Sequence, residues 1–204
     1  MLALIEQSRR AGSAYSVGAV FSDRADAAGL EAAHGLNVAA AALPFRKGSD
    51  RVAYDRELAA AIREHAPSLV VLAGFMRILS AQFVDAFAGK IMNIHPSLLP
   101  KYPGLHTHRR VLEAKDAEHG ATVHFVTAQL DAGPAIVQGR VHVAPDDTES
   151  SLAARVQRQE HRIYPLAVRW FCEGRLCCTD SQAWLDGRLL REPLQCAEQE
   201  SALS

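Results

Sequence analysis

Asn93 and His95 are the first pair of side chains in this sequence whose types and spacing suggest chemistry. They end an apolar run and are two residues apart, and alternation along a strand would place both on one face. An amide and an imidazole that converge there can hold and protonate one oxygen or nitrogen. The alternative is a histidine that only satisfies a loop carbonyl. Pro96 and Pro100 stiffen the following loop, which favours the chemical interpretation.

Asp131 is the second candidate, within Leu130-Asp131-Ala132-Gly133-Pro134. Gly133-Pro134 marks a turn. Asp131 can be a turn residue that hydrogen-bonds its own backbone. Its catalytic interpretation requires the carboxylate to reach His95, which spacing along the chain does not reveal.

Glu160 lies on the apolar stripe of a long helical pattern, four residues after Val156 and three before Ile163. A carboxylate on a buried face needs a partner, such as a ligand amine or hydroxyl. A side chain that reaches solvent at the edge of the stripe explains the pattern equally well.

The segment Gly74 to Leu79 follows an apolar run and must either pack in the core or line a pocket. Nine histidines, including His106 and His108, raise the possibility of a zinc site. No H-E-x-x-H motif is present, and no cysteine or aspartate stands at ligand spacing near His95, so we expect no metal.

Helical and strand patterns alternate along the chain, which predicts an α/β fold with a mostly parallel sheet flanked by helices. Ligands of such folds bind beyond the carboxyl ends of the strands, here after Gly74, Ile94 and Thr127. We expect a single domain over residues 1–190 and a polar tail over 191–204. The expected helices are 1–11, 24–34, 49–65, 81–87, 107–115 and 149–173, and the expected strands are 16–21, 36–40, 69–74, 90–94, 122–127 and 136–143, with short strands near Leu176 and Trp184.

Composition excludes several classes of protein. Lys plus Arg is 22 and Asp plus Glu is 23, so the net charge is -1, which gives no support for nucleic-acid binding. No apolar run approaches the length of a membrane span, and the apolar start is too short for a signal peptide. The four cysteines form no C-x-x-C pair, which agrees with a reducing, cytoplasmic compartment.

Three segments together resemble the phosphoribosylglycinamide formyltransferases, folate-dependent enzymes of purine synthesis. The similarity runs in order from residue 1 to about residue 190. Asn-x-His with the later Asp is shared by formyltransferases and hydrolases that use 10-formyltetrahydrofolate, whereas Lys-Tyr-Pro-Gly-Leu-His-Thr-His is more specific. The segments are Ala73–Leu79, Asn93–His108, and Gly120–Thr127 with Leu130-Asp131-x-Gly133-Pro134.

The resemblance implies a Rossmann-like formyltransferase fold, small-molecule substrates, a monomer or homodimer, and a role for each matching residue. Asn93 would bind the formyl oxygen, His95 would act as the acid and stabilise the oxyanion, and Asp131 would orient His95 and favour its charged form. The co-substrate would be 10-formyltetrahydrofolate, bound by Arg51, Met76, Arg77, Ile78, Leu79 and Asn93. Gln157 and Glu160 would contact glycinamide ribonucleotide.

The chain departs from this family at its start. The family begins with a strand and a Gly-x-Gly-Ser-Asn loop that binds the substrate phosphate, and neither is present here. We therefore expect the strands near 17–21 and 69–73 to lack a shared partner. A mis-assigned start codon is our expectation, with a real truncation as the alternative. The rival functions are a non-catalytic folate-binding remnant, or another formyltransferase or hydrolase that uses 10-formyltetrahydrofolate.

Overall fold

Helices and strands alternate through residue 125, a further strand forms a hairpin with the last of these, and four short strands follow the long sixth helix in the computed structural model, which describes residues 1–46 and 48–196. The helices are α1 (Leu2–Ser8), α2 (Ala28–Gly35), α3 (Arg51–Glu64), α4 (Ala81–Ala86), α5 (Thr107–Ala114) and α6 (Glu149–Cys172). The strands are β1 (Ala19–Ser22), β2 (Ala39–Ala42), β3 (Val70–Leu72), β4 (Ile91–His95), β5 (Glu118–Phe125), β6 (Ala135–His142), β7 (Leu176–Thr179), β8 (Gln182–Leu185), β9 (Arg188–Leu189) and β10 (Leu194–Cys196).

The central sheet has the strand order β10-β6-β5-β4-β3 and carries helices on its faces, which confirms the predicted α/β fold. β3 pairs with β4, and β10 with β6, in parallel. β5 is antiparallel to both β4 and β6. Its last residue, Phe125, therefore lies opposite Met92 and not beside His95. The loop that follows this strand nevertheless returns the chain to the end of β4, where Asp131 lies beside His95, so the position expected after Thr127 does contribute to the site.

β1 and β2 form a separate parallel sheet. As the sequence predicts, β1 and β3 share no partner strand among the described residues. A cavity of about 950 Å³ lies between these two strands. It is bounded by residues 17–23 and 68–75 and by side chains of α1, α3 and α6. The open edge explains why β3 is only half-buried, although its sequence is wholly apolar.

α6 is the main helix packed on the central sheet. Thr148 caps its start, where the Thr148 side chain accepts from the Ser151 N–H and the Ser151 side chain accepts from the Thr148 N–H. Its apolar stripe packs on β5 and β6, and Leu152, Val156, Ile163 and Ala167 are buried there. The apolar stripe predicted from the sequence is thus the face of α6 that packs against the core.

β10 pairs with β6, so the central sheet includes residues from the segment expected to be a polar tail. Residues 197–204 of that segment lie outside the described residues. Within the described ranges, no helix combines the length and the apolar character that a membrane crossing requires.

Candidate active site

Asn93 and His95 lie on β4, and their partners on the neighbouring strand complete one face of the sheet. Asn93 is opposite His124 and His95 is opposite Thr122 in the β4–β5 register. Residues directly opposite each other project to the same side of a sheet. Four polar side chains therefore share one face near the end of β4.

His95 is held between two oxygen acceptors. Its Nε2 is 2.9 Å from the carbonyl oxygen of Tyr102, and its Nδ1 is 3.5 Å from Oδ2 of Asp131. The side chains of His95 and Asp131 are each only 7 % exposed. An imidazole that faces an acceptor on both sides can carry a proton on both nitrogens. This arrangement suits a group that stabilises and protonates a developing anion.

Asp131 lies in a turn, and its carboxylate reaches His95, which is the contact that the catalytic interpretation requires. It has a left-handed backbone with φ 50° in the loop of residues 126–134, which joins β5 to β6. Its Oδ2 also accepts a hydrogen bond of 2.9 Å from the backbone N–H of Gly104. The carboxylate thus joins this loop to the segment that follows β4.

His124 orients Asn93, and sequence reasoning assigned it no role. Its Nδ1 is 2.9 Å from the carbonyl oxygen of Phe125, so Nδ1 carries the proton and Nε2 accepts. Nδ2 of Asn93 lies 3.3 Å from that Nε2. Burial lowers the pKa of His124, which keeps the ring neutral and able to accept. The strand register would have shown this pair, had the pairing of β4 with β5 been known.

His108 and His119 form a second pair that the sequence did not single out. Nδ1 of His108 is 2.9 Å from Nε2 of His119, and His119 is 1 % exposed. Burial, and then the nearby charge of His108, lowers the pKa of His119 to about 4. Residues 1–46 and 48–196 contain no group of three or more His, Cys, Asp or Glu side chains placed to hold a metal ion.

The segment from Gly74 to Leu79 combines exposed and buried side chains. Met76 is 79 % exposed and Ile78 is 51 % exposed, whereas Leu79 packs in the core cluster around Phe83. The guanidinium of Arg77 turns inward and stacks on aromatic rings, 3.3 Å from the ring centre of Phe45 and 4.4 Å from that of Tyr54. Neighbouring residues of this segment are therefore divided between exposed positions and the core, and the cavity between β1 and β3 is bordered by Gly74, Phe75 and Leu79.

The remaining predicted residues lie on helices. Arg51 is exposed at the first turn of α3, which Asp50 caps. Gln157 is exposed on α6, and Glu160 is half-buried one turn later. Burial raises the pKa of Glu160, and the positive amino terminus of Met1 opposes this increase. Glu160 lies between the two positions suggested by its sequence pattern, because it is neither fully buried nor fully in solvent.

Residues 1–168 of this chain match the family model described as formyl transferase. The phosphoribosylglycinamide formyltransferase of Escherichia coli is 57 % identical over 175 residues, which is 86 % of this chain and 82 % of that protein. The protein of the same name from Haemophilus influenzae is 44 % identical, over 85 % of this chain and 82 % of its own length.

Solved structures agree with these matches. A phosphoribosylglycinamide formyltransferase from Coxiella burnetii superposes with a TM-score of 0.88 at 43 % identity, covering 95 % of this chain and 92 % of that one. A formyltetrahydrofolate deformylase from Pseudomonas syringae gives a TM-score of 0.82 at 25 % identity, covering 90 % of this chain but 61 % of that one. The likeness in sequence is therefore greater to the transferases.

Proposed function

Because this chain belongs to the formyl transferase family, we propose that it transfers a formyl group from 10-formyltetrahydrofolate to the amine of 5′-phosphoribosylglycinamide, a step of purine synthesis. The observation that carries this proposal is the buried imidazole of His95, set between the Tyr102 carbonyl and the Asp131 carboxylate on the strand that also carries Asn93. We place the reaction in the cytoplasm.

The reaction needs charge stabilisation and one transferable proton. The amine nitrogen forms a bond to the formyl carbon, and the carbonyl π electrons move onto oxygen to give a tetrahedral oxyanion. As this intermediate collapses, the bond from carbon to the folate N10 breaks and N10 takes up a proton. The attacking nitrogen loses one proton, so the overall transfer balances without a metal or a redox partner.

Three residues of the site are each assigned a task in this reaction. Protonated His95 keeps its Nε2 proton on the Tyr102 carbonyl and would donate the Nδ1 proton, on the side of the longer 3.5 Å contact with Asp131, to the developing oxyanion and then to N10. Asp131 orients the imidazole from its Nδ1 side and places a negative charge beside it. Asn93 uses one amide N–H toward His124, which orients the second N–H toward the formyl oxygen.

The donor half of the site is assigned to one side of β4. Met76 and Ile78 present apolar side chains that suit the faces of an aromatic folate. Arg77 and Leu79 hold the segment that carries them, through the aromatic stack and the core. Arg51, exposed at the start of α3, is the cation assigned to the acidic tail of the folate, and Asn93 faces the formyl group.

The acceptor half is assigned to α6. The raised pKa of Glu160 reflects a desolvated carboxyl, a group that gains from an ammonium or hydroxyl partner on the substrate. Gln157, three residues earlier on the same helix, offers an amide to the same ligand. These two residues would hold the glycinamide ribonucleotide near its attacking amine.

An assay with isotopically labelled formyl donor tests the proposal. The label should appear on phosphoribosylglycinamide when both substrates are present, and a His95→Ala variant should abolish this transfer. Release of labelled formate at the same rate with and without the acceptor would instead identify a hydrolase. Binding of the folate without either reaction would identify a non-catalytic folate-binding protein.

A further inference from the structure

A polar row crosses the central sheet and ends at His95. In the strand register, His95 of β4 lies opposite Thr122 of β5, Thr122 lies opposite Gln138 of β6, and Gln138 lies opposite Gln195 of β10. Polar side chains in the middle of a sheet require partners, because a buried polar group without a hydrogen bond destabilises the fold. We therefore ask which groups these buried side chains bind.

Thr122 binds the backbone of the segment that follows His95. It is fully buried, and its Oγ1 donates to the carbonyl oxygen of Ser97 at 2.6 Å. The same oxygen accepts from the backbone N–H of Leu99 at 3.0 Å. A single hydroxyl thus fixes two backbone groups of this segment.

Gln138 extends the same network. Its Nε2 donates to the carbonyl oxygen of Leu99 at 2.8 Å and to Oγ1 of Thr122 at 3.0 Å. The Gln195 amide donates to Oε1 of Gln138 at 3.2 Å, which sets the orientation of the Gln138 amide. Gln138 is 3 % exposed, so these bonds lie in a low-dielectric environment where they are stiff and costly to break.

The segment held in this way supplies the surroundings of His95. The Tyr102 carbonyl that faces Nε2 of His95 and the Gly104 N–H that faces Asp131 both belong to it. The Ser97 hydroxyl closes the segment by donating to the carbonyl oxygen of Lys101 at 2.6 Å. A displacement of the segment would move the acceptor of His95 and the donor to Asp131 together.

We propose that Thr122 and Gln138 are positioning residues for His95, acting through the backbone of residues 97–104. The proposal rests on the proposed function in one respect, namely that His95 is the acid of the reaction. Neither residue contacts the imidazole by a hydrogen bond, and each acts through the carbonyl and N–H groups that it holds.

The test compares Thr122→Val, which removes the hydroxyl at nearly constant shape, with Thr122→Ser, which keeps it. Thr122→Val should lower kcat per folded site at least tenfold and leave both KM values within threefold, whereas Thr122→Ser should stay within threefold of wild type in kcat. Gln138→Met should act like Thr122→Val but more weakly. The double variant should be no slower than Thr122→Val alone, because the two side chains act on one segment.

A second readout follows His95 itself by NMR of imidazole nitrogen-15 in the full chain. Asp131, His124, His108 and His119 are the titratable groups near this ring, and none of them is altered in these variants. The titration midpoint of His95 should move in Thr122→Val and remain in Thr122→Ser. If Thr122→Val does not fold, Gln138→Met carries the same comparison.

The positioning role would be overturned if both Thr122→Val and Gln138→Met kept the wild-type kcat and the wild-type titration of His95. A loss of folded protein with normal kcat per folded site and a normal titration would overturn it too, because that is the signature of a purely structural role. The NMR readout needs no turnover. An inactive wild-type chain would therefore count against the proposed function, while the titration still decides the positioning role.

Discussion

Asp131 carries the negative charge that faces His95. Its replacement by asparagine distinguishes the effect of this charge from the effect of the shape of the side chain. Asp131→Asn keeps the size of the side chain and removes the negative charge that lies 3.5 Å from Nδ1 of His95. We expect the kcat of Asp131→Asn to fall at least tenfold, which corresponds to about 1.4 kcal/mol in the activation barrier. The kcat of His95→Ala should fall further. Asp26→Asn, which breaks an exposed ion pair with Arg24, is the matched control and should leave kcat unchanged. A rate within tenfold of wild type in either site variant would contradict the assigned roles.

His119 should make the stability of the protein depend on pH. Its pKa falls from an ordinary 6.5 to about 4 in the folded protein, so the unfolded chain binds more protons between these values. The free energy of unfolding should therefore decrease as the pH falls through 6.5 toward 4, by on the order of 3 kcal/mol from this site.

Urea unfolding at pH 7.5 and pH 5 measures this dependence. His119→Gln should flatten it, because the neutral amide cannot be protonated in this range. His34→Gln, on the exposed side of α2, should leave it unchanged. An equal slope in wild type and His119→Gln would show that other groups cause the acid sensitivity.

Residue types and strand alternation identify part of this site from sequence, and three-dimensional contact supplies the rest. Asn93 and His95 follow from a period of two along a strand. Asp131 reaches His95 only through the long β5–β6 hairpin, which no local pattern encodes, so the sequence placed it by resemblance alone. His124 and Thr122 depend on the antiparallel register of β5, which is a tertiary property.

At the scale of elements, Arg77 connects the segment after β3 to the segment after β2. Its guanidinium stacks on Phe45 and Tyr54, and Nε is 4.0 Å from Oδ2 of Asp23 at the end of β1. Cation–π contacts in a desolvated setting contribute about 2 kcal/mol. Arg77→Met keeps an extended side chain but loses this attraction, whereas Arg77→Lys keeps the charge.

We expect Arg77→Met to lower the free energy of unfolding by about 1–2 kcal/mol and to raise the KM for the folate donor, because Met76 and Ile78 flank the anchor. Arg77→Lys should lie between Arg77→Met and wild type in both quantities. Urea unfolding and steady-state kinetics measure the two effects. Wild-type stability in Arg77→Met would mean that the stack contributes nothing.

Gly133 lets the β5–β6 hairpin loop close against its own strand. A Cβ at Gly133 would lie 1.8 Å from the carbonyl oxygen of Phe125, which is backbone and cannot rotate away. Gly133→Ala should therefore displace the loop that carries Asp131, lowering the free energy of unfolding by about 1–3 kcal/mol and kcat at least tenfold. Gly18→Ala, where a Cβ would meet nothing within 4 Å, is the control. Thermal unfolding and kcat equal to those of the control would disprove this role.

The alternation of helices and strands was accessible from sequence because each element has its own period or apolar run, and most predicted ranges differ from the observed ones by a few residues. The direction of β5 was not accessible from sequence, because whether a strand is parallel or antiparallel depends on the strand with which it pairs. β10 was missed for a similar reason: its residues, Leu194 to Cys196, are partly exposed, and only pairing with β6 makes them a strand.

At the scale of the whole molecule, buried side chains fall into unequal clusters. The largest joins the central sheet to α6, and a second joins α3 and α4 to Ile91. The third contains Ile5, Ala33 and Val38 and supports the small sheet of β1 and β2. Because the cavity of about 950 Å³ separates β1 from β3, few apolar contacts connect the small sheet to the central one.

Native-state hydrogen exchange should reveal this inequality as two levels of protection. β5 is buried along nearly its whole length between two paired strands, so its amides should open only with the global transition. β1 and β2 are half-buried or exposed and have only each other as partners among the described strands, so they should open locally. We expect protection factors at least a hundredfold lower in residues 19–22 and 39–42 than in residues 120–125, about 2.7 kcal/mol in opening free energy. Residue-resolved exchange under native conditions measures both sets in one sample, and α6 amides serve as an internal reference for global unfolding. Equal protection in the two sheets would show that the chain opens as a single cooperative unit despite the cavity.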